Sequence, residues 1–364
     1  MKQFICIFIF VCLLTACGKY KQEDYGNEYI LDKDAQTFSA AKDTVFTEQG
    51  FYTIADFERI DFIDSKTGQS IPVCAKPNCK HRDDSCNAFF HHPQEIQTYD
   101  GMLYVVAGGS EQGTMSLYRF SMDGSERVEL KSLFAYEEED TSCSLELVIH
   151  RGYGYMVTNW IQEDRKERTQ KLYRISLDSE EEMEVIYEFK GYTPLIHIIQ
   201  GEKNRLYFTA ERYLDEDLKE YETKSYHLDI LNGTITELAI PNGYGLVAAK
   251  NGKAYYYNSS DRDLYCINEE GTDQKKMFEW EYDEMNVYTD QNHLYLDNEN
   301  NIEENNLSYK ERKLIVIDYD GNVICQLSDL GDRGVLWSDQ KQLLLQYQVQ
   351  DSDETRYELL DLKR

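Results

Sequence analysis

Three cysteines and one histidine stand within a thirteen-residue stretch of this 364-residue chain. The spacing is C-x4-C-x-H-x4-C, and the four residues are Cys74, Cys79, His81 and Cys86. Thiolate and imidazole groups are the ligands that zinc takes in structural sites, and three plus one is the ligand number of a closed Cys3His site. The spacing differs from that of a standard zinc knuckle. The stretch predicts a structural zinc site, which would leave no open position for catalysis.

The sequence leaves two other states of these cysteines open. Exported proteins usually form disulfides, and one disulfide would leave the third thiol free and His81 without a role. All three thiols unpaired is the remaining state. His91 and His92 follow the stretch closely and are alternative ligands. Either a metal or a disulfide would hold together a segment that has little apolar content of its own.

The segment that carries these residues interrupts a repeat. Each copy is an apolar strand that runs into an Asp-Gly-type turn, as in Leu117–Gly124, Leu172–Asp178 and Tyr226–Gly233. A second mark, a tight turn before an aromatic or leucine strand, recurs at positions 52, 104, 155, 207, 255, 295 and 344. A period of about 40–50 residues is typical of solenoids and propellers. The Cys/His segment falls between the first two copies, and we define residues 74–93 as the insertion.

Each repeat unit contains four strand-like segments that are rich in Tyr, Val, Ile and Phe. In the third unit they are Leu145–Ile149, Tyr153–Trp160, Lys171–Leu177 and Glu184–Phe189. Four antiparallel strands per unit around a channel form a propeller blade. We therefore predict an all-β fold, a seven-bladed β-propeller of four-stranded antiparallel blades, over residues 28–364. A β-sandwich or a solenoid is the alternative.

The last repeat unit lacks a fourth strand. Its three segments are Val335–Trp337, Gln342–Gln348 and Arg356–Leu362. We expect part of Tyr29–Phe38 to supply the outer strand of this blade, because a ring closed in this way has no exposed strand edge. The repeat resembles the YWTD-like and TolB-like propeller families over roughly Tyr29 to Arg364, and the resemblance implies the fold and no chemistry. The Cys/His spacing resembles clusters in uncharacterised propeller lipoproteins of anaerobic Gram-positive bacteria.

The first sixteen residues are predicted to be an export signal. Lys2 supplies the basic start, and Ile5–Leu14 is apolar but too short to span a hydrocarbon core of ~30 Å. The following Leu14-Thr15-Ala16-Cys17 resembles a bacterial lipobox, which implies that Cys17 carries the lipid and becomes the first residue. Residues 17–27 would then be a polar, lipid-anchored tether. An ordinary secretory peptide followed by an unrelated cysteine is the alternative.

The chain is strongly acidic, with a formal net charge of −29, and loss of Lys2 with the signal makes it −30. Phosphate binding needs clusters of Lys and Arg, so we expect no nucleic-acid partner. The same charge opposes electrostatic docking on anionic lipid. Attachment must then come from acyl chains, at about 0.8 kcal/mol per buried methylene. We expect an extracytoplasmic lipoprotein that contacts the membrane through its lipid anchor.

The other notable side chains have a structural role as their first expectation. The 29 tyrosines mostly occupy strand positions and should pack between blades. The alternative is an aromatic binding face, for which the best residues are Tyr153, Tyr155, Tyr192, Tyr244 and Trp160. The acidic runs at 137–140, 180–182, 215–217 and 297–304 are expected in solvated loops, with calcium as the alternative for the last run. Histidines 150, 197, 227 and 293 fall in different units and are expected to be strand or turn residues.

No motif for an enzyme is found, whether a nucleophile elbow, an H-E-x-x-H helix or a P-loop. We therefore name no catalytic residue and expect a surface-anchored module that binds a glycan, a peptide or a protein. The alternative is a hydrolase or lyase that acts on extracellular polysaccharide. Two or more carboxylates in the central channel, with a basic residue or a metal, would favour the enzyme.

Overall fold

The computed structural model describes residues 24–26, 28–36, 42–109, 113–135, 142–161, 166–177, 182–282, 284–299, 311–328, 330–338, 341–349 and 355–362, without the side chains of 142–144, 160 and 161. Across these ranges the chain forms 26 β-strands. The strands assemble into six sheets, in which neighbours are antiparallel and follow one another in sequence. The described residues include no helix that is long and apolar enough to cross a membrane.

The first two sheets have four strands each. The first contains β1 (Thr44–Thr47), β2 (Gly50–Ala55), β3 (Arg59–Asp64) and β4 (Ser70–Pro72). The second contains β5 (Glu95–Tyr99), β6 (Met102–Gly108), β7 (Thr114–Ser121) and β8 (Arg127–Ala135). The insertion lies between these two sheets.

The third sheet has seven strands and contains two repeat units. They are β9 (Ser142–His150), β10 (Tyr153–Ile161), β11 (Glu167–Ser176), β12 (Glu184–Glu202), β13 (Arg205–Tyr213), β14 (Tyr221–Asp229) and β15 (Ile235–Glu237). The 19-residue β12 pairs with β11 through its first half and with β13 through its second. The sequence predicted a break here, whereas the strand only shifts register around Thr193, whose φ is 45°.

The last three sheets complete the order. Two have four strands: β16 (Gly245–Lys250), β17 (Lys253–Asn258), β18 (Asp263–Asn268) and β19 (Lys275–Glu279), then β20 (Asn286–Thr289), β21 (His293–Asp297), β22 (Leu314–Asp318) and β23 (Val323–Leu327). The final sheet has three described strands: β24 (Gly334–Ser338), β25 (Gln342–Gln348) and β26 (Thr355–Asp361).

The turn chemistry read from the sequence is found between the first two strands of several sheets. Asp100 and Gly101 have φ of 51° and 72°, and Asn251 and Gly252 have φ of 50° and 75°. Two successive positive φ angles are what a tight hairpin turn with the native strand twist requires, and Asp-Gly and Asn-Gly adopt them readily. The turns that marked the repeat therefore set the register of these hairpins.

The hydrophobic core consists of clusters between successive sheets. Phe120 of the second sheet packs with Ile60 of the first, for example, and both are fully buried. The last sheet packs against the first in the same way, since Phe51 of β2 and Leu345 of β25 belong to one cluster. The first strands of successive repeat units also touch. β1 contacts β5, β5 contacts β9, β9 contacts β12, β12 contacts β16, and β1 also contacts β24.

The N-terminal segment differs from its prediction. Its described residues 28–36 form turns and pair with no strand of the last sheet. Asp34 instead accepts a hydrogen bond from the buried Arg151 (Nε–Oδ1 2.5 Å), and Ala35 N–H donates to His150 Nδ1 at 3.0 Å. The buried guanidinium needs a carboxylate partner, and this requirement draws the segment to the turn after β9. No closing strand is found in this stretch.

Candidate functional site

The four predicted ligands of the insertion meet in space. One ligand atom from each of Cys74, Cys79, His81 and Cys86 lies within 4.8 Å of the others. The backbone reaches this arrangement through left-handed conformations at Asn78 (φ 58°) and His81 (φ 55°). Cys86 is fully buried, and its thiol lies 3.3 Å from His81 Nδ1. The three sulfurs are free thiols and form no disulfide.

The surroundings of the cysteines shift the pKa values of Cys74 and Cys86 in opposite directions. Burial raises the pKa of Cys74, but hydrogen bonds from the backbone N–H groups of Lys76 and Asn87 outweigh it, so its pKa is lowered. Burial, together with the hydrogen bond to Cys79, raises the pKa of Cys86 to about 12. Amide donors that converge on a sulfur stabilise a thiolate. The cluster thus resembles a ligand set more than a group of packed apolar side chains.

The alternative ligand His91 has another partner. Its Nε2 lies 2.9 Å from Asp84 Oδ1, and its ring packs edge-on against Phe89 at 5.3 Å between centroids. Neither His91 nor His92 belongs to the cluster. His81 is therefore the histidine that the insertion brings to the three sulfurs.

An open cavity of about 910 Å³ adjoins the insertion. Phe90, Met115 and Tyr118 supply an apolar and aromatic floor, and polar side chains that include Asp84, His92 and Glu129 surround it. This volume lies in the range of small-molecule sites, about 300–1,000 Å³, which combine an apolar lining with a few placed polar groups.

Several contacts fix the walls of this cavity. Tyr118 OH donates to the Gly108 carbonyl at 2.8 Å, and Ser116 Oγ donates to Glu129 Oε1 at 2.7 Å. The Arg127 guanidinium lies over the Phe90 ring at 5.2 Å and donates to the Phe89 carbonyl. The cavity is therefore walled by strands β6–β8 on one side and by the end of the insertion on the other.

A second group of chemically active residues lies where the first strands of several sheets converge. His197 Nδ1 is 2.8 Å from Glu146 Oε1, and Lys42 Nζ is 3.4 Å from the same oxygen. Lys42 Nζ is also 3.7 Å from Glu95 Oε1. Glu95, Glu146 and Lys42 line a small cavity of about 60 Å³ together with Trp337 of β24. We call Lys42, Glu95, Glu146 and His197 the channel cluster.

The two channel carboxylates have opposite pKa shifts. Burial raises the pKa of Glu95 to about 8, against the opposing effects of Lys42 and the Leu147 N–H. Burial also acts to raise the pKa of Glu146, but His197 and Lys42 outweigh it, so the pKa is lowered. Burial disfavours charged His197, yet hydrogen bonds to Glu146 and Glu211 raise its pKa to about 10. These shifts favour a protonated Glu95 beside a Glu146–His197 ion pair.

The channel cluster was missed from the sequence, although a signal for it exists. Glu95, Glu146 and His197 are each 51 residues apart, which is one repeat period. Equivalent positions of successive repeats fall on equivalent first strands, here β5, β9 and β12. A search for ionisable residues at one repeat position would have found these three. Lys42 lies before β1 and does not share this 51-residue spacing.

The aromatic residues chosen for a binding face belong largely to the packing. Tyr153 and Tyr155 are 7% and 0% exposed. Tyr192 is half-buried, and Tyr244 OH donates to Asp261 Oδ2 at 2.6 Å. The side chain of Trp160 lies outside the described residues. The described members of this group thus form no continuous aromatic face with the 910 Å³ cavity.

The acidic runs have different outcomes. The run at 215–217 is a mostly exposed loop between β13 and β14, as expected, whereas 137–140 and most of 180–182 lie outside the described residues. In the last run the solvated reading is wrong for Asp297, which is 1% exposed. Its Oδ2 accepts a hydrogen bond from buried Arg312 Nη2 at 2.7 Å, so Asp297 has an arginine as its partner. Residues 300–304, the rest of the run for which calcium was the alternative, lie outside the described residues. Cys17 also lies outside the described residues.

Comparison with solved structures identifies the fold. The β-propeller domain of the trilobed protease from Pyrococcus furiosus matches with a TM-score of 0.51 and 11% identity, over 91% of this chain and 99% of that one. Oligogalacturonate lyase from Vibrio parahaemolyticus matches with a TM-score of 0.50 and 10% identity, over 92% of each chain. The chain has a β-propeller fold. BamB from Moraxella catarrhalis is also similar, with a TM-score of 0.42 and 9% identity over 90% of this propeller and 99% of BamB. No family model and no curated protein matches the propeller.

Proposed function

We propose that this propeller is a surface-anchored binding module and that its ligand, a glycan or a peptide, occupies the cavity beside the insertion. The observation that carries the proposal is the cavity itself, at about 910 Å³, with Phe90 and Tyr118 in its floor. Aromatic faces bury large apolar area with little loss of side-chain freedom, which suits sugar rings and peptide side chains. A folded protein partner would need a much larger surface, about 800 Å² on each side.

The proposal includes a ring of seven blades. The seven-stranded sheet supplies two of them, because the two halves of β12 pair with different neighbours. The contact between the last and first sheets supports a closed arrangement. We do not include a closing strand from residues 28–36, which bond to the turn after β9 instead.

A binding screen tests the proposal. The detergent-solubilised chain would be applied to glycan and peptide arrays, and each hit would be measured by calorimetry. Replacement of both His91 and His92 by Ala, at the cavity rim, should weaken binding about tenfold, which is about 1.4 kcal/mol. Lys219→Ala, on an exposed loop outside the cavity, is the control and should leave binding unchanged. Ligands that bind equally well to both variants would place the binding site elsewhere.

The channel cluster supports a second candidate, a hydrolase or lyase that acts on polysaccharide. It meets the criterion set from the sequence, since two carboxylates stand beside Lys42 and His197 with their pKa values pushed apart. Its cavity of about 60 Å³ has room for a few water molecules and not for a sugar ring. We therefore rank it below binding. Turnover on a polysaccharide panel that is lost in Glu146→Gln would reverse this order.

Anchoring rests on Cys17, at the end of the lipobox-like stretch. We propose that a thioether-linked lipid at this residue holds the propeller on the outer surface of the membrane. Cys17→Ser should release the protein from the membrane fraction or block its processing, which fractionation and mass spectrometry of the N-terminus would show. A variant that is cleaved normally and stays with the membrane would contradict the lipid anchor.

A further inference from the structure

The binding proposal leaves the cysteine cluster without a role. Four side chains of the two ligand types that structural zinc sites use lie within 4.8 Å of one another. An ion about 2.3 Å from each sulfur needs ligand separations of about 3.8 Å, so small side-chain rotations would complete a tetrahedron. His81 is half-buried and turned toward the sulfurs, with Nδ1 3.3 Å from Cys86 Sγ.

The surroundings of the cluster also suit a metal with thiolate ligands. The backbone N–H groups of Lys76 and Asn87 donate to Cys74. Donors around the ligands of a metal site orient them and stabilise their charge. Three thiolates and Zn²⁺ would carry a net charge of about −1. The insertion contains three basic residues (Lys76, Lys80 and Arg82) and two acidic ones (Asp83 and Asp84), and their net charge of 3 − 2 = +1 offsets it. Lys76 Nζ donates a hydrogen bond to the carbonyl of Ser85, the residue before Cys86, at 2.6 Å.

Residues 75–85 of the insertion have few other means of holding their shape, because most of them are exposed. The residues that follow are anchored in the core: Phe89 and Phe90 are buried between the first two sheets, and the Phe90 ring packs edge-on against Tyr118 and Phe120 of β7. Asn87 Nδ2 also donates to the Gly124 carbonyl at 2.9 Å. The exposed residues before this anchor have little apolar surface, so they gain their order from a cross-link or an ion.

We propose that Cys74, Cys79, His81 and Cys86 bind one zinc ion, and that this ion holds residues 75–85, which include the cavity residue Asp84, in place. A disulfide is a weaker explanation, because it would use only two of the three converging sulfurs and would give His81 no ligand role. Zinc uses all four. The second part of the proposal rests on geometry alone, since Asp84 lines the cavity whatever ligand it takes.

Metal analysis of the full-length chain, purified anaerobically in detergent, tests the site. Mass spectrometry should find about one zinc per chain in the wild type, and Cys79→Ser should retain less than about a tenth of that amount. Cys266→Ser is the matched control, because Cys266 is a buried, isolated cysteine of β18. It should keep its zinc. Circular dichroism would show that each variant retains its sheets.

Two variants at His81 separate a ligand from a packing residue. His81→Cys keeps four ligands and should keep the zinc, whereas His81→Ala should weaken zinc binding about tenfold or more. Hydrogen exchange of residues 75–85 should rise when a chelator removes the ion and stay constant at β16–β19. A metal-free wild type with a mapped disulfide between two of these cysteines would overturn the site. Unchanged exchange after metal removal would overturn the holding role.

Discussion

Arg151 and Asp34 form a buried ion pair that binds the N-terminal segment to the rest of the propeller. The Arg151 side chain is fully buried, and its Nη1 also donates to the Gly26 carbonyl at 2.7 Å and to Asn204 Oδ1 at 2.5 Å. Removal of one partner of such a pair leaves an uncompensated charge in a region without water. The pair therefore contributes strongly to the placement of the segment.

Asp34→Asn should lower the free energy of unfolding by about 3–5 kcal/mol, the usual result of breaking a buried pair from one side. Chemical denaturation measures it. The neighbouring pair between Lys33 and Asp100 is an internal control, because the Asp100 side chain is 68% exposed. Asp100→Asn should therefore cost less than about 1 kcal/mol. Equal effects of the two substitutions would contradict the burial argument.

Glu95 predicts how stability depends on pH. Its pKa in the folded protein is about 8, above that of an unfolded glutamate, so the folded state holds the extra proton between the two values. Stability from this residue is therefore greatest at acidic pH and falls as the pH rises from about 4.3 through about 8. Glu95→Gln removes this term, and wild type should lose on the order of a few kcal/mol relative to the variant between pH 5 and pH 9.

The comparison of wild type with Glu95→Gln matters because other groups titrate as well. His197 has a raised pKa of about 10, so its stabilising effect is fully present below about pH 6.5 and is lost progressively as the pH rises from there through about 10. Both proteins contain His197, so its contribution cancels in the difference between them. Denaturation curves at several pH values give the difference directly. Parallel curves for the two proteins would show that Glu95 is charged in the folded state.

At the scale of elements, β12 approaches β9 too closely for a side chain. A Cβ atom added to Gly201 would lie 2.5 Å from Cγ of the buried His150 ring. His150 is held by the Lys203 carbonyl at 2.6 Å and by the Ala35 N–H at 3.0 Å, so its ring cannot move aside freely. The glycine therefore lets two first strands and the N-terminal segment meet at one histidine.

Gly201→Ala should destabilise the propeller by about 1–3 kcal/mol, the usual result of overpacking a filled core. Gly245→Ala is the matched control, since Gly245 also lies in a first strand, β16, and has no atom within 4 Å of an added Cβ. The control should be neutral or slightly stabilising. Thermal unfolding of the two variants gives the contrast, and a neutral Gly201→Ala would mean that His150 relocates without penalty.

Strands and turns could be predicted from the sequence where the residues that determine them are close together in the chain. Hairpin turns such as Asp100-Gly101 depend on two adjacent residues. The strands predicted at Tyr153–Trp160 and Gln342–Gln348 match β10 and β25 nearly to their ends. The four cysteine-cluster ligands lie within thirteen residues, so their convergence was also foreseeable. The continuity of β12 was not, because Thr193-Pro194 has the composition of a loop, and pairing with β13 resumes at Leu195 after a shift of register.

At the scale of the whole molecule, contacts between distant residues decide what the sequence could not. Asp34 and Arg151 are 117 positions apart, and neither has a local signature. The segment was predicted to be an outer strand because the last blade lacks a fourth strand. The ion pair between its buried Asp34 and Arg151 holds it beside the turn after β9 instead. The channel cluster was missed because its members also lie far apart in the sequence. Three of them are nevertheless spaced by 51 residues, which is the period of the repeat.

Deletion of residues 18–36 should lower the melting temperature by roughly 10 °C, because Arg151 and His150 both lose partners in the core. Deletion of residues 18–23 alone leaves these contacts in place and should change the melting temperature little. Differential scanning calorimetry distinguishes the two. The same melting temperature for both truncations would show that the segment contributes nothing to the fold.

With the proposed lipid at Cys17, the place where the N-terminal segment binds would also set the orientation of the propeller on the membrane. Asp32 Oδ1 accepts a hydrogen bond from Gly101 N–H at 3.0 Å, beside the start of β6, and the far end of β6 at Gly108 borders the cavity. A lipid at Cys17 would lie at most about 25 Å of extended chain from Asp24. The propeller would stand with that end toward its own bilayer and its cavity directed outward. The cavity would thus be accessible to molecules that arrive from the surroundings and inaccessible to those on the surface of its own membrane.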